Sequence, residues 1–184
     1  MSLDYVILGI LERRPSTGYD LSKIMDRTTN FYWQATHAQI HQRLKRLQKD
    51  GMVKEEPVWE KGRPARIIYH LTSKGRRALV EWEKTPPEDL AVRHGFLSQF
   101  NSSYVLECPE IIRKIDIHQG RSQERLELHQ QALEIIKKKN LNERKVQIDY
   151  LMALYGVMFE QTCQDWCQEA IRFLEERNND AVEK

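Results

Sequence analysis

Two long helical patterns joined by one short turn constrain this chain more than any other feature of its sequence. The first spans residues 108–139, with Pro109 in its first turn, where proline is tolerated; the second spans residues 143–177. Residues 140–142 form the turn between them, and a shorter helical pattern covers residues 90–103. Helices of this length joined so tightly predict an antiparallel, coiled-coil-like hairpin.

The second long helix carries more apolar surface than one neighbouring helix can cover. Its main apolar face comprises Leu151, Leu154, Tyr155, Met158, Trp166, Ala170, Phe173 and Leu174, and Val157, Phe159 and Ile171 lie beyond that face. A helix with more than one apolar face needs more than one partner, and a second copy of the chain is the simplest. We therefore expect a homodimer. Its interface residues are expected to be Leu151, Leu154, Tyr155, Met158, Trp166 and Ala170, and its acidic outer surface Glu160, Asp165, Glu169, Glu175 and Glu176.

The sequence Thr85-Pro86-Pro87 separates this helical region from a first half of different character, because two prolines stop any helix. Residues 1–84 contain 16 Lys and Arg against 10 Asp and Glu, whereas the rest of the chain contains 13 against 17. A basic region followed by an acidic one indicates a nucleic-acid-binding module joined to a module with another role. We expect two domains, residues 1–85 and 86–184.

The first half shows short helical patterns followed by β-rich runs. The helices are expected at residues 2–11, from Thr17 onward, at residues 36–50 and from Thr72 onward, and the β-rich runs are residues 52–59 and 66–71. Thr17 precedes Asp20 by three residues, and Thr36 precedes Gln39 by three, as in a capping box. Asp50-Gly51 ends the third helix with a glycine suited to left-handed geometry.

The third helix, residues 36–50, has the two faces expected of a helix that enters the DNA major groove. Ile40, Leu44 and Leu47 fall within one narrow sector. The opposite sector holds Ala38, Gln39, Gln42, Lys45, Arg46 and Lys49. Gln can bond adenine edges and Lys or Arg can bond guanine edges, although such residues also suit a merely solvated face.

A turn rich in cations lies between the two β-rich runs. Residues 60–66 contain Gly62 and Pro64 and bring Lys61, Arg63 and Arg66 to the tip of a hairpin. Three short helices followed by a basic hairpin predict a winged helix-turn-helix, in which the helix reads the major groove and the wing contacts phosphates or the minor groove. The fold class is therefore mainly α with a small β-hairpin, in which an N-terminal winged helix-turn-helix precedes a C-terminal helical dimerisation domain.

The first half of the chain contains several short motifs in a characteristic order. They are Val6-Ile7-Leu8-Gly9-Ile10-Leu11, Thr17-Gly18-Tyr19-Asp20, Phe31-Tyr32-Trp33, Ile40-His41-Gln42-Arg43-Leu44-Lys45-Arg46-Leu47, Asp50-Gly51-Met52-Val53, Gly62-Arg63-Pro64-Ala65-Arg66, and Tyr69 followed by Leu71-Thr72-Ser73-Lys74-Gly75-Arg76. In this order and spacing, over nearly all of residues 1–80, the chain resembles the PadR family of bacterial transcriptional regulators, particularly its AphA-like branch. Family members usually carry Tyr-Pro where this chain has His41-Gln42, so His41 either substitutes for that tyrosine or packs.

The resemblance implies a sequence-specific transcriptional regulator that binds a pseudo-palindromic promoter site as a homodimer, and it implies that the C-terminal helices form the dimer interface. The residues expected to contact double-stranded DNA are Tyr19, Thr36, Ala38, Gln39, His41, Gln42, Lys45, Arg46, Lys49, Lys61, Arg63 and Arg66. The alternative is a winged-helix adaptor that binds protein and no DNA. Such an adaptor has no need of phosphate-facing cations at the wing.

Motifs of enzymes are missing from the sequence: there is no G-x-S-x-G elbow, glycine-rich phosphate loop or H-E-x-x-H. We therefore expect no catalytic activity. Cys163 and Cys167 lie four residues apart on one helix. A metal site needs further ligands, and His118 and His129 on the preceding helix are the candidates for that role. The expected role of the two cysteines is as small core residues, with no metal and no cofactor.

The sequence also bears on the cell compartment of the protein and on its small-molecule partners. No apolar stretch approaches the length of a membrane span, and three cysteines without a secretory signal favour a reducing cytoplasm. Some relatives in the family that the chain resembles bind phenolics or planar drugs, and an aromatic effector pocket here would draw on Trp33, Trp82, Trp166, Tyr150, Tyr155 and Phe159. The same rings are also suited to packing in an ordinary hydrophobic core.

Overall fold

The computed structural model of the protein describes residues 3–28, 33, 35–59, 66–87 and 94–182. The chain divides into two compact units, residues 1–90 and 91–184. The expected domain boundary after residue 85 follows the fourth helix, which ends at Glu83. Within the described residues, no helix combines the length and the apolar character that crossing a membrane requires.

The described residues of the N-terminal unit form four helices and one small antiparallel sheet. In chain order its elements are α1 (Leu3–Arg13), β1 (Ser16–Thr17), α2 (Gly18–Thr28), α3 (His37–Lys49), β2 (Val53–Val58), β3 (Arg66–Leu71) and α4 (Ser73–Glu83). The sheet order is β1-β3-β2, so the wing hairpin gains a third strand. This mostly helical winged helix-turn-helix confirms the predicted fold class.

β1 corrects the expected start of the second helix. Thr17 belongs to a two-residue strand that pairs with Ile68, and the helix begins one residue later, at Gly18. Thr17 nevertheless caps this helix, because its Oγ1 accepts a hydrogen bond from the backbone N of Asp20 at 3.1 Å. The Thr17 hydroxyl in turn donates a hydrogen bond to Oδ2 of Asp20 at 2.8 Å.

The core of this unit forms where α1, α2 and α3 meet. Ile7, Leu8, Leu21, Ile40 and Leu44 are fully buried there. Trp82 of α4 stacks on Tyr5 of α1 with ring centroids 4.9 Å apart, so this ring is part of the packing between two helices.

The C-terminal unit is a helical hairpin with one short preceding helix. Its elements are α5 (Gly95–Phe100), a 3₁₀ turn (Ser103–Val105), α6 (Cys108–Lys137) and α7 (Arg144–Val182). α5 is shorter than the expected helix at residues 90–103, whose first four residues lie outside the described part of the chain. α7 extends to Val182, five residues beyond its expected end.

Small and polar residues of α7 face α6. Ala153, Gly156 and Cys167 are buried at this contact, and a Cβ on Gly156 would lie 2.6 Å from Nδ1 of His129. Glu160 is buried as well, with 1% of its surface exposed, so its expected place on the acidic outer surface is wrong. Arg125 of α6 explains the burial, because it pairs with this carboxylate at 2.6 Å.

Candidate nucleic-acid interface

The start of α3 is fixed by a reciprocal cap between Thr36 and Gln39. The backbone N of Gln39 donates to Oγ1 of Thr36 at 3.3 Å, and the backbone N of Thr36 donates to Oε1 of Gln39 at 2.9 Å. These bonds satisfy orphan donors at the helix start. Two residues expected to contact DNA therefore also hold the helix in shape.

The end of α3 is fixed equally firmly. Gly51 follows the helix at φ 68°, a left-handed conformation that glycine adopts without strain. The backbone N of Met52 donates back to the carbonyl of Leu47 at 2.8 Å. Both expected ends of the recognition helix are therefore confirmed.

One side of α3 is buried and the other is exposed, as predicted. Ile40, Leu44 and Leu47 pack into the core. The exposed residues include all seven that are predicted on this helix to contact DNA, namely Ala38, Gln39, His41, Gln42, Lys45, Arg46 and Lys49. Arg43 lies between the two sides and approaches Asp4 of α1 at 3.7 Å, an ion pair that ties α3 to α1. The exposed side combines amide donors and acceptors with cations, the groups that base edges and phosphates bind.

Arg46 and Lys49, near the C-terminal end of α3, differ in the negative charge that each one faces. Nε of Arg46 lies 3.8 Å from the Asp50 carboxylate one turn later. Lys49 belongs to the last turn of the helix, where a cation also complements the helix dipole. Gln42 and Lys45 lie between these groups and the capped start.

His41 packs against the start of α2. A Cβ on Gly18 would lie 2.7 Å from Cε1 of His41, so the imidazole ring covers the glycine. The ring is also exposed on its other side. Of the two roles left open by the sequence, the structure shows packing between the two helices of the helix-turn-helix.

Tyr19 lies beside a cation that sequence reasoning had not selected. Its side chain is 58% exposed, and Nζ of Lys23 lies 4.5 Å from the centre of its ring. Both residues belong to α2, the helix that in this class of motif crosses the DNA backbone. The four-residue spacing between an aromatic residue and a lysine is the signal that would have identified Lys23.

The wing is a regular hairpin up to the point where its tip begins. β2 and β3 pair antiparallel from Val53 opposite Leu71 to Val58 opposite Arg66. Arg66 is exposed at the last pair. Lys61 and Arg63 lie outside the described residues, so their expected contacts with DNA stay a prediction.

The base of the wing is anchored by Tyr69 and His70 of β3. Tyr69 is buried, and this burial, followed by the charge of Glu55 on β2, raises the pKa of its phenol. His70 contacts Glu56 across the hairpin, with Nε2 2.6 Å from the carboxylate. Glu55 and Glu56 thus lie on β2, and Arg66 lies at the last pair of the described hairpin.

The six residues expected at a dimer interface fall into two groups. Leu151, Tyr155, Met158 and Trp166 are exposed, and Leu154 and Ala170 are half-buried. Phe159 and Phe173 are exposed as well. These side chains leave a large apolar surface on α7, which stable monomers rarely show.

His118 of α6 and two cysteines of α7 come together in the hairpin. Their ligand atoms all lie within 4.8 Å of one another, and Sγ of Cys163 lies 3.3 Å from Nε2 of His118. Burial, followed by the neighbouring Cys163, raises the pKa of the Cys167 thiol to about 12. Cys167 is buried as expected, but the three residues also form a set able to hold a metal ion.

Two family models match successive parts of the chain. The family model described as "Transcriptional regulator PadR-like family" matches residues 7–81, and "Virulence activator alpha C-term" matches residues 92–175. The probable transcriptional regulator Rv1176c of Mycobacterium tuberculosis is 24% identical over 96% of this chain and 100% of its own length.

Two solved structures share the fold of nearly the whole chain. The protein smu.1604c of Streptococcus mutans is 25% identical, with a TM-score of 0.82 over 94% of this chain and 99% of its own. Bacillus subtilis PadR, crystallised in complex with operator DNA, is 20% identical, with a TM-score of 0.77 over 95% of this chain and 99% of its own.

Proposed function

Because the chain belongs to the PadR-like family of transcriptional regulators and is a winged-helix DNA-binding regulator of that type, we propose that it binds a pseudo-palindromic promoter site as a homodimer. In this proposal α3 of each protomer enters the major groove of one half-site, and the wing, residues 60–66, contacts the flanking backbone or minor groove. The protein then acts in the cytoplasm, where promoter DNA is found.

The observation that carries the proposal is the exposed side of α3. Its two ends are fixed by the Thr36–Gln39 cap and by Gly51, so Gln42, Lys45 and Lys49 are held on a rigid helix rather than on a loop. Rigid placement matters because base readout depends on the direction of individual hydrogen bonds. Bacillus subtilis PadR, which has the same fold, was crystallised in complex with operator DNA, and this supports DNA binding as the function of the fold.

Division of labour along α3 follows from the chemistry of its side chains. An amide such as that of Gln42 can donate to and accept from one base at once, whereas Lys49, near the C-terminal end of the helix, offers a point charge suited to phosphate. Gln39 serves base readout less directly, because its Oε1 already accepts from Thr36. Gln42 is therefore the residue we assign to sequence discrimination.

Two variants test this assignment on the full-length protein. Gln42→Ala should reduce discrimination between the operator and single-base variants by about 1–3 kcal/mol at the position it reads. Lys49→Ala should weaken binding to all sequences alike and reduce the slope of log affinity against log salt concentration by about one. Gel-shift titrations on a panel of operator variants at several salt concentrations measure both effects.

The protein-binding adaptor makes the opposite prediction. It would show no operator selected from random DNA and no salt-dependent retention on heparin. If Lys49→Ala changed the preferred sequence and Gln42→Ala did not, the assignment of base and phosphate contacts along α3 would be wrong.

A further inference from the structure

We propose that His118, Cys163 and Cys167 form a zinc site within the helical hairpin. His118 lies on α6, and the two cysteines lie one turn apart on α7, so the ligand set joins both helices. Nothing in the proposed DNA-binding function uses these residues. Their position and chemistry carry the inference independently of it.

The distances are close to those that a bound zinc ion requires. Ordinary Zn–S and Zn–N bond lengths place a sulfur and a nitrogen of one tetrahedral site about 3.6 Å apart and two sulfurs about 3.8 Å apart. Here Sγ of Cys163 and Nε2 of His118 are 3.3 Å apart, and all three ligand atoms lie within 4.8 Å of one another. Rotamer adjustments of about 1 Å complete the set, with water in the fourth position.

The donor set favours zinc over harder or less charged cations. Two thiolates and a neutral imidazole suit thiophilic metals and disfavour magnesium and calcium, which bind oxygen. Two thiolates also balance the charge of Zn²⁺, so the site becomes neutral where Cys167 is fully buried. A Cu⁺ ion in the same place would leave one uncompensated negative charge.

The charges around the cluster are largely balanced before a metal enters. Arg125, which faces His118 and Cys163, is held by Glu160 through contacts of 2.6 and 3.0 Å. The remaining charged or titratable neighbours are Asp116, Arg121 and His94. Zinc therefore does not face a free excess of positive charge.

His118 is also held in position from outside the ligand set. Phe96 of α5 stacks on its ring with centroids 3.9 Å apart and an interplanar angle of 3°. Phe96 in turn meets the edge of Trp166, at 5.9 Å between centroids. Zinc binding is therefore expected to change the surroundings of Trp166, which gives an optical readout near the site.

Cobalt substitution tests the site on the reduced, chelator-treated full-length chain. Co²⁺ should bind with one ion per chain and produce visible d–d bands together with a sulfur-to-cobalt charge-transfer band. Added Zn²⁺ should remove both bands, change the Trp166 fluorescence and raise the midpoint of thermal unfolding. Elemental analysis of the dialysed protein gives the stoichiometry.

Single-ligand variants make the test specific. Cys163→Ser, Cys167→Ser and His118→Asn should each weaken zinc binding by at least roughly 100-fold, more than loss of an outer-shell group costs. Cys108→Ser is the matched control, because that thiol lies at the start of α6 and contacts the carbonyl of Leu174 at 3.7 Å. It should bind as the wild type does, and circular dichroism should show every variant folded.

Three results would overturn the proposal. They are the absence of a charge-transfer band with Co²⁺, undiminished zinc binding by folded Cys163→Ser and His118→Asn variants, and binding of Cu⁺ where Zn²⁺ fails. In each case the cluster would be a thiol–imidazole contact within the core of the hairpin.

Discussion

At the scale of single residues, an ion pair between Arg125 and the buried Glu160 joins the two long helices of the hairpin. The Glu160 carboxylate accepts from Nε and from a terminal guanidinium nitrogen of Arg125, and it accepts a third bond from Ser122 at 2.7 Å. Ser122 is itself fully buried. A carboxylate removed from water needs such partners on every side, because desolvation of an unpaired charge is costly.

Removal of the Glu160 charge should therefore destabilise the C-terminal unit strongly. Glu160→Gln leaves the Arg125 guanidinium half-buried without its counter-charge, and we expect a loss of about 3–5 kcal/mol of unfolding free energy. Urea unfolding followed by circular dichroism measures it. Glu169→Gln is the control, since Glu169 pairs with Arg172 on the exposed side of α7 and surface pairs contribute little. Equal effects of the two substitutions would contradict this account.

His129 gives the hairpin a dependence on pH. Burial lowers the pKa of this imidazole below its usual 6.5; the charge of Glu160 opposes this effect, and the weaker influence of Arg125 adds to it. The unfolded chain therefore binds a proton more readily than the folded chain as pH falls through 6.5, and stability is lost in that direction. The full contribution is present above pH 6.5.

The His129 effect is measured as a difference between two proteins. Thermal unfolding of the wild type and of His129→Gln is compared between pH 7.5 and pH 5.5. The wild type should lose more stability than the variant over this interval. Parallel losses would show that other groups dominate the acid response.

At the scale of elements, local signals explain which parts of the fold are predictable from sequence. The bounds of α3 follow from a cap and a glycine that lie within the helix's own neighbourhood in the chain, and both are confirmed. β1 is not predictable in this way, because its two residues carry no alternation and pair with Tyr69 and Ile68, far along the chain.

The burial of Glu160 also depends on a residue distant in the chain. Charged residues usually mark the solvent side of a helix, and the partner that buries this one lies 35 residues earlier in the sequence. The convergence of His118 with Cys163 and Cys167 has the same cause, since only the register of the hairpin brings residues 45 apart into contact. Helical periodicity identifies faces of α7 but does not say which face α6 covers.

The start of α4 packs closely against the turn that ends α3. A Cβ on Gly75 would lie 2.2 Å from the backbone carbonyl oxygen of Met52. That carbonyl already accepts bonds from the backbone N and the hydroxyl of Thr72 at 3.0 Å each. Gly75→Ala must therefore move the start of α4, and we expect a loss of about 1–3 kcal/mol from the N-terminal unit.

Gly9→Ala is the matched control for Gly75→Ala. Gly9 lies within α1, and a Cβ there meets nothing within 4 Å. This change should stabilise the unit by about 0.5–1 kcal/mol, because alanine loses less backbone entropy than glycine in a helix. Chemical unfolding of both variants gives the comparison, and a loss at Gly9 or a gain at Gly75 would contradict it.

At the scale of the whole molecule, the apolar surface of α7 is the feature that a single chain leaves unexplained. At 100° per residue, Ile148, Tyr155, Trp166 and Phe173 fall on the side opposite the buried Ala153, Glu160 and Cys167. The exposed side and the α6 contact are thus different faces of one helix. Burial of a side chain of this size is worth roughly 1.5–3 kcal/mol, so a handful of them represents about the whole stability of a small domain.

We propose a second copy of the chain as the partner of this surface, because a two-fold dimer would also supply the second recognition helix of the proposed pseudo-palindromic site. Met158, 62% exposed on this surface, offers the sharpest test. In the proposed dimer, Met158→Glu would place a charge in the interface twice, once from each protomer, at little cost to the isolated hairpin. We expect sedimentation equilibrium at micromolar concentration to show the wild type as a dimer and the variant largely as a monomer with weaker operator binding.

Gln168→Glu, which adds the same charge at an exposed polar position of α7, should remain dimeric. A wild type that sediments as a monomer at this concentration, or a Met158→Glu variant that stays dimeric, would assign this surface to another partner.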